Sequence, residues 1–399
     1  MRRTTCRACE SKNLKEILDL GEMALAGGFL EDEKALKEEQ KFPLPVHVCL
    51  DCSLVQILEV IDPAILFRDY SFSSSTIPPL VKHFEGYAKW LGERLSPKLV
   101  FEFGCNDGIL LAPLNRLGIG AKGVDISENI TEMARAKGLD VVTGYFDDEM
   151  ARALVQKFGA ADVVTGSNAF AHNDHPERIL NAARLALKDS GHLCLEVMYA
   201  GDLLELLQWD TLYHEHLTFY SLNTLDVLMK RHGFHLVHAE RIPMHGGSLR
   251  VIASARPGGT RSPELEELFR SEEKTRLADP QTWIDFGAHI GRKIDVVRDT
   301  LGRLARNSRI WGYGAAGKAT MWVNACEMTY LEAMVDASPL RAGKMMPGTH
   351  TPIVFPAELR KNPPDYIFIT AWNYADVIRQ NESWFNGIWV TPLPDLRMF

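Results

Sequence analysis

Val100-Phe-Glu-Phe-Gly-Cys-Asn-Asp-Gly108 reads as an apolar strand running into a glycine turn, the form in which an α/β sheet receives a nucleotide-type cofactor. About twenty residues on, Gly123-Val-Asp125 ends a second strand on an acidic side chain, placed to accept hydrogen bonds from the two hydroxyls of a ribose. Strand character recurs at Leu99–Phe103, Gly120–Asp125, Val141–Thr143, 162–166 and 192–197, with amphipathic helical stretches between. Such alternation specifies a doubly wound, mostly parallel sheet. Leu80, Val81, Phe84, Tyr87, Ala88 and Leu91 are at helical spacing, so one helix over Pro78–Leu95 leads into the first strand. Pro176 and Gly191 bracket a later helix in the expected order.

Upstream, Cys6-Arg-Ala-Cys9 and Cys49-Leu-Asp-Cys52 are two CxxC knuckles about forty residues apart, which can place four thiolates tetrahedrally around one Zn²⁺. Four thiolates leave no open position for water, so the metal is structural and folds a module too small for a core of its own. Residues 1–70 hold nine Lys/Arg against thirteen Asp/Glu in a chain of net charge −8, which disfavours nucleic acid as the partner of this metal module. Cys105, Cys194 and Cys326 sit singly in apolar or glycine-rich surroundings and read as buried thiols. No apolar run is long enough to span a membrane, and Met1-Arg-Arg-Thr-Thr-Cys6 is not a secretory signal, so a cytoplasmic location is expected.

Downstream, Ser221 caps a helix ending at Gly233, and 235–241 with 248–255 form a closing antiparallel pair. The stretch Arg256-Pro-Gly-Gly-Thr-Arg-Ser-Pro263 is the clearest linker. After two helical stretches a second α/β unit opens at Gly312-Tyr-Gly-Ala-Ala-Gly-Lys318, with strands near 334–336, 366–370 and Ile388–Thr391. The division is therefore a metal module over 1–70, a cofactor-binding α/β unit over 71–255 and a second, Rossmann-like α/β unit over 256–399.

The Glu102-x-Gly104-x-x-x-Gly108 form has fewer glycines than a dinucleotide fingerprint and resembles the first motif of class I S-adenosylmethionine (SAM)-dependent methyltransferases. That resemblance implies cofactor contacts from Glu102, Gly104, Cys105, Asn106, Asp107, Gly108 and Asp125. It also implies adenine contacts from Phe146 and Asp147, and an edge of the methyl-transfer site at Asn168. With the flanking motifs the chain resembles the sugar-nucleotide C-methyltransferases of deoxysugar biosynthesis. The motifs are the CxxC pairs, Phe67-Arg-Asp-Tyr-Ser-Phe-Ser-Ser-Ser75, Tyr213-His-Glu-His216, His245-Gly-Gly-Ser-Leu-Arg250 and the C-terminal glycine loop. Known members methylate C3 of a nucleoside-diphosphate 4-keto-deoxyhexose. The chain departs from that family at Ala24-Leu-Ala-Gly-Gly28, where a Pro-Leu-Ala-Asn-like stretch is expected.

The chemistry follows from the substrate class: the C–H beside a ketone is lost as a proton, and the resulting enolate attacks the methyl of the sulfonium. The protein must supply a base and an oxyanion stabiliser. The resemblance implies His216 as base and Tyr213 as alternative base or donor to the enolate, with Glu215 orienting the sugar and His172 facing it. It further implies substrate contacts from Tyr70, His245, Gly246, Tyr313, Gly314, Lys318 and Asn373. Lys318 and the amides of a helix N-terminus would hold the pyrophosphate of a nucleotide, expected to be thymidine diphosphate. Taken alone, Gly312-x-Gly314-x-x-Gly317 with Asp336 is a dinucleotide fingerprint and predicts NAD binding. Other readings are an O- or N-methyltransferase on the same sugars, a zinc-ribbon RNA methyltransferase and a degenerate binding scaffold. The partner expected is a small sugar nucleotide, with no nucleic acid or membrane, and the protein a monomer or weak oligomer.

Overall fold

The computed structural model describes residues 1–67 and 73–399, so Tyr70 and Phe72 lie outside the described residues. The metal module is built on three antiparallel strands, β1 (Leu14–Ala24), β2 (Lys41–Cys49) and β3 (Val55–Ile57), with a short exposed helix, Glu33–Glu38, capped by Asp32. Charged sequence between the knuckles therefore folds largely as strand: β1 alternates exposed and buried positions because one face packs on the helix Pro280–Leu304. Gly287 of that helix is obligatory, since a Cβ there would stand 1.9 Å from the Ile17 carbonyl oxygen.

The middle sheet contains β4 (Leu99–Phe103), β5 (Gly120–Asp125), β6 (Val141–Thr143), β7 (Ala161–Ser167) and β8 (Leu187–Met198). The short β9 (Thr218–Phe219) then leaves this sheet, and β10 (His235–Ile242) and β11 (Ser248–Ser254) return to it. The order is β10-β11-β8-β7-β4-β5-β6, parallel throughout β8 to β6, with β11 antiparallel to both neighbours. β4 is buried along nearly its whole length, as a central parallel strand covered on both faces must be. The expected helix Pro78–Leu95 is present, and Leu80, Phe84, Tyr87, Ala88 and Leu91 are its buried face. One boundary differs. The helix opened by Pro176 ends at Ala186, and Gly191 lies inside β8, where the pairing with β7 is irregular between Leu187 and His192. The extra residues are absorbed as a bulge rather than as a helix end.

The third sheet holds β12 (Ile310–Tyr313), β13 (Met334–Val335), β14 (Ile353–Val354), β15 (Tyr366–Ile369), β16 (Ile388–Thr391) and β17 (Arg397–Met398), in the order β14-β13-β12-β15-β16-β17. It is parallel except for β17. In both α/β sheets the first strand is flanked by its successor on one side and by a later strand on the other. The glycine loops after β4 and β12 thus each stand at a topological switch point, where open sheets collect ligands.

The metal module is not an isolated bead. β9 joins it as a fourth strand, pairing Val55 with Phe219 and Gln56 with Thr218. Leu30 bridges to Met345, and one hydrophobic core runs from Leu44 and Val46 through Phe219 to Trp322.

Candidate active site

Cys6, Cys9, Cys49 and Cys52 converge, with all four sulfurs within 4.8 Å of one another. The closest pairs, Cys6–Cys52 at 3.5 Å and Cys9–Cys49 at 3.6 Å, match the spacing of thiolates on a tetrahedral Zn²⁺ at about 2.3 Å from each sulfur. The residues fit zinc. Inside the first knuckle Arg7 is buried. Its guanidinium bonds the Ile57 carbonyl at 2.6 Å and pairs with Asp174 at 2.9 Å, tying the metal loop to the segment after His172.

The loop after β4 is shaped by Gly104 at φ +64° and Gly108 at φ +81°, and a Cβ on either would collide with Ala169 or Leu139 at 2.4 or 2.1 Å. Asp125 accepts the amides of Asn106 at 2.9 Å and Ser127 at 3.0 Å, which fixes the loop against the second strand. Glu102 is buried, and burial together with the nearby Asp125, Glu196 and Asp107 pushes its carboxyl well above the usual range. One Glu102 carboxylate oxygen, the Ser167 hydroxyl and the Asn168 side-chain oxygen are buried without a hydrogen-bond partner among the described residues. Acidic groups crowded beside a glycine cradle with unfilled acceptors suit a ligand carrying an ammonium and a sulfonium, so the residues fit SAM.

Not every predicted contact projects into that cradle. The Cys105 side chain is packed in the core beneath Gly123, so only its backbone borders the loop. Asp107 turns to Ser73 at 2.8 Å, Ser75 and Lys137 at 3.0 Å, and it holds the 73–75 segment across the loop. Phe146 is buried and stacks on Phe103 at 5.5 Å, while Asp147 caps the following helix by accepting the Met150 amide at 3.0 Å.

A second group lies where β9 meets the loop after β7. The ring of His216 stands 3.9 Å from that of Tyr213 and 5.1 Å from that of His172. His216 Nδ1 is 2.7 Å from the Thr211 carbonyl. A carbonyl only accepts, so Nδ1 carries the proton and Nε2 presents a lone pair. Burial and then the neighbouring His172 hold the imidazole well below its ordinary range, so it is a neutral base at pH 7. Burial likewise lowers His172 to about 4 and lowers His245, while it raises Glu215 to about 7. His245 is open to solvent and borders a small hollow together with Met198, Tyr199, Gln208 and Gly247. It sits at φ +52° in a turn with Gly246 at +91° and Gly247 at +128°, where a Cβ on Gly247 would stand 2.2 Å from Asp202.

The C-terminal glycine loop faces this group: a Cβ on Gly317 would stand 3.8 Å from the Tyr213 hydroxyl. Lys318 Nζ lies 4.0 Å from Asp210 and 5.5 Å over the Trp372 ring, and Asn373 is exposed beyond β15. Gly314, at φ +99°, abuts Ala371. Tyr313 points elsewhere. It packs on the outer core and donates its hydroxyl to Glu382 at 3.1 Å. Asp336 accepts the Ala315 and Ser338 amides, both at 2.8 Å, as Asp125 accepts two amides in its own loop, and pairs in addition with Arg341 at 3.1 Å, a cation that competes for the acceptor a dinucleotide ribose would need.

The groups that support this site carry no motif in the sequence: Arg7 and Asp174, the Thr211 carbonyl, and Asp210 between Trp322 and Trp372. Nor does Glu196, fully buried and shared by Arg250 at 2.6 Å and His83 at 2.9 Å. An acidic residue inside apolar sequence, as in Leu195-Glu-Val197 and Trp209-Asp-Thr211, was the available signal.

Three family profiles match in series: a zinc binding domain over residues 6–67, a methyltransferase domain over 82–239 and a C-methyltransferase C-terminal domain over 243–394. The C-methyltransferase NovU of Streptomyces niveus is 31% identical over 403 aligned residues, covering 98% of this chain and 96% of that protein. The ubiquinone biosynthesis O-methyltransferase of Cupriavidus pinatubonensis is 32% identical over 25% of this chain and 41% of its own length. A SAM-dependent methyltransferase from Archaeoglobus fulgidus superposes with TM-score 0.37 at 19% identity, over 44% of this chain and 94% of that one, too loosely to carry weight.

Proposed function

This chain belongs to the C-methyltransferase family, and on that premise we propose that it methylates the carbon beside the ketone of a nucleoside-diphosphate 4-keto-deoxyhexose, at C3, through an enolate. That it is a SAM-dependent C-methyltransferase with a zinc-binding domain follows from the family. SAM supplies the electrophilic methyl. The observation that carries the finer reading is the fixed, neutral His216 between Tyr213 and His172, with Nε2 free to take a proton.

In this reading Nε2 of His216 removes the C3 proton while the Tyr213 hydroxyl, at the N-terminus of the helix Gly317–Ala325, donates to the developing enolate oxygen. Glu215, raised to about 7, is partly a neutral acid near neutral pH and able to donate to a sugar oxygen. Lys318 and the glycine loop after β12 take the diphosphate, His245 and Gly246 line the sugar side, and Tyr70 is a further substrate contact. The nucleotide proposed is thymidine diphosphate, the protein a monomer or weak oligomer working in the cytoplasm, and the division 1–70, 71–255 and 256–399. No described helix is long and apolar enough to cross a membrane.

Solvent exchange tests the base. With thymidine-diphosphate 4-keto-6-deoxyhexose and S-adenosylhomocysteine in D₂O, the protein should wash the C3 proton out, and His216→Ala should not. Exchange undiminished in His216→Ala moves the base to Tyr213 or His172.

A further inference from the structure

We propose that Asp210, gripped by Trp322 and Trp372, is a positioning residue through which the C-terminal unit sets the tautomer and place of His216. Asp210 lies in the turn Trp209–Thr211 of the middle unit and is wholly buried. One carboxylate oxygen accepts two indole N–H groups from the C-terminal unit, Trp322 at 3.0 Å and Trp372 at 2.8 Å. The other oxygen has no hydrogen-bond partner among the described residues and faces Lys318 at 4.0 Å. Trp209 adds an edge contact to Trp322, with ring centroids 4.5 Å apart.

The next residue is Thr211, whose carbonyl receives the His216 Nδ1 proton at 2.7 Å. One peptide unit therefore separates the two-indole clasp from the bond that selects the His216 tautomer. A buried carboxylate with two donors is held firmly, and losing one leaves a desolvated acceptor that the turn relieves by moving. A shift of the Thr211 carbonyl by about 1 Å is enough to break so short a bond and free the imidazole to turn or to exchange tautomers. The two indoles come from the helix after β12 and the turn after β15, the elements that flank the glycine loop. The clasp thus ties the elements that carry the C-terminal glycine loop to the base.

This inference rests on His216 being the base. The test is Trp372→Phe in the full chain, which keeps a ring and removes one N–H. The expected result is a kcat lower by about tenfold to a hundredfold, with KM for the sugar nucleotide and SAM affinity little changed. In ¹⁵N-histidine NMR, the His216 signal should lose its pure Nδ1–H signature. A parental kcat with a parental His216 tautomer overturns the proposal, and so does an effect confined to KM, which would make Trp372 a binding residue. If Trp372→Phe does not fold, Trp322→Phe, which removes the other indole N–H, is read by the same two measurements. Activity retained in His216→Ala would instead defeat the base assignment, whatever the indole variants do.

Discussion

His216 gains its reactivity from surroundings that charge would disrupt. Its imidazole, like those of His172 and His245, is lowered by burial, so all three are neutral in the folded protein near pH 7. In the unfolded chain they titrate near 6.5. Between that value and the lower folded values the unfolded state binds more protons, so stability is fully present above about pH 6.5 and declines as pH falls below it. Thermal midpoints should drop from pH 7 to pH 5, and His172→Gln should flatten that slope; an unchanged slope would assign the acid sensitivity elsewhere. Catalysis should hold through pH 6.5 on the acid side, because the folded base titrates lower. His216→Ala should abolish turnover while calorimetry still detects SAM binding, since the glycine cradle after β4 lies on other elements. The imidazole was legible from its motif. The carbonyl that orients it was not, because Thr211 acts through its backbone, which no side-chain pattern announces.

At the scale of elements, the metal module earns its place through β9. The Ile57 amide donates to the Leu217 carbonyl at 3.0 Å, directly after His216, and Arg7 grips Asp174 two residues past His172. Removing zinc should therefore cost activity without any metal chemistry. Cys49→Ser or chelation should release zinc, unfold β1 to β3 and stop turnover, while the middle sheet still binds SAM; full activity in a zinc-free protein would refute this. Arg7→Ala leaves Asp174 with only the longer contacts to Arg3 and His175, both at 3.4 Å, and should destabilise by on the order of 3 kcal/mol in denaturant unfolding. Strands β4 to β6 were readable because each carries its own apolar run and turn. β9 was not, since two residues have no period and their partner strand lies about 160 positions earlier. Gly191 misled because a glycine in a bulge and one at a helix end look alike in sequence.

At the scale of the molecule, each of the two α/β sheets has the glycine loop at its switch point pinned by an acidic side chain, Asp125 in one and Asp336 in the other. The alternating pattern made both sheets legible, but which loop takes which ligand depends on contacts between units. Engagement of Asp336 by Ala315, Ser338 and Arg341 predicts no measurable NAD(H) binding by calorimetry, and micromolar affinity would return the C-terminal loop to the dinucleotide class. The central claim is carbon methylation beside a ketone. It is tested most directly by NMR of the product formed from methyl-¹³C SAM and thymidine-diphosphate 4-keto-6-deoxyhexose. A labelled methyl bonded to C3 is expected, and a labelled methyl on oxygen or nitrogen would contradict carbon methylation.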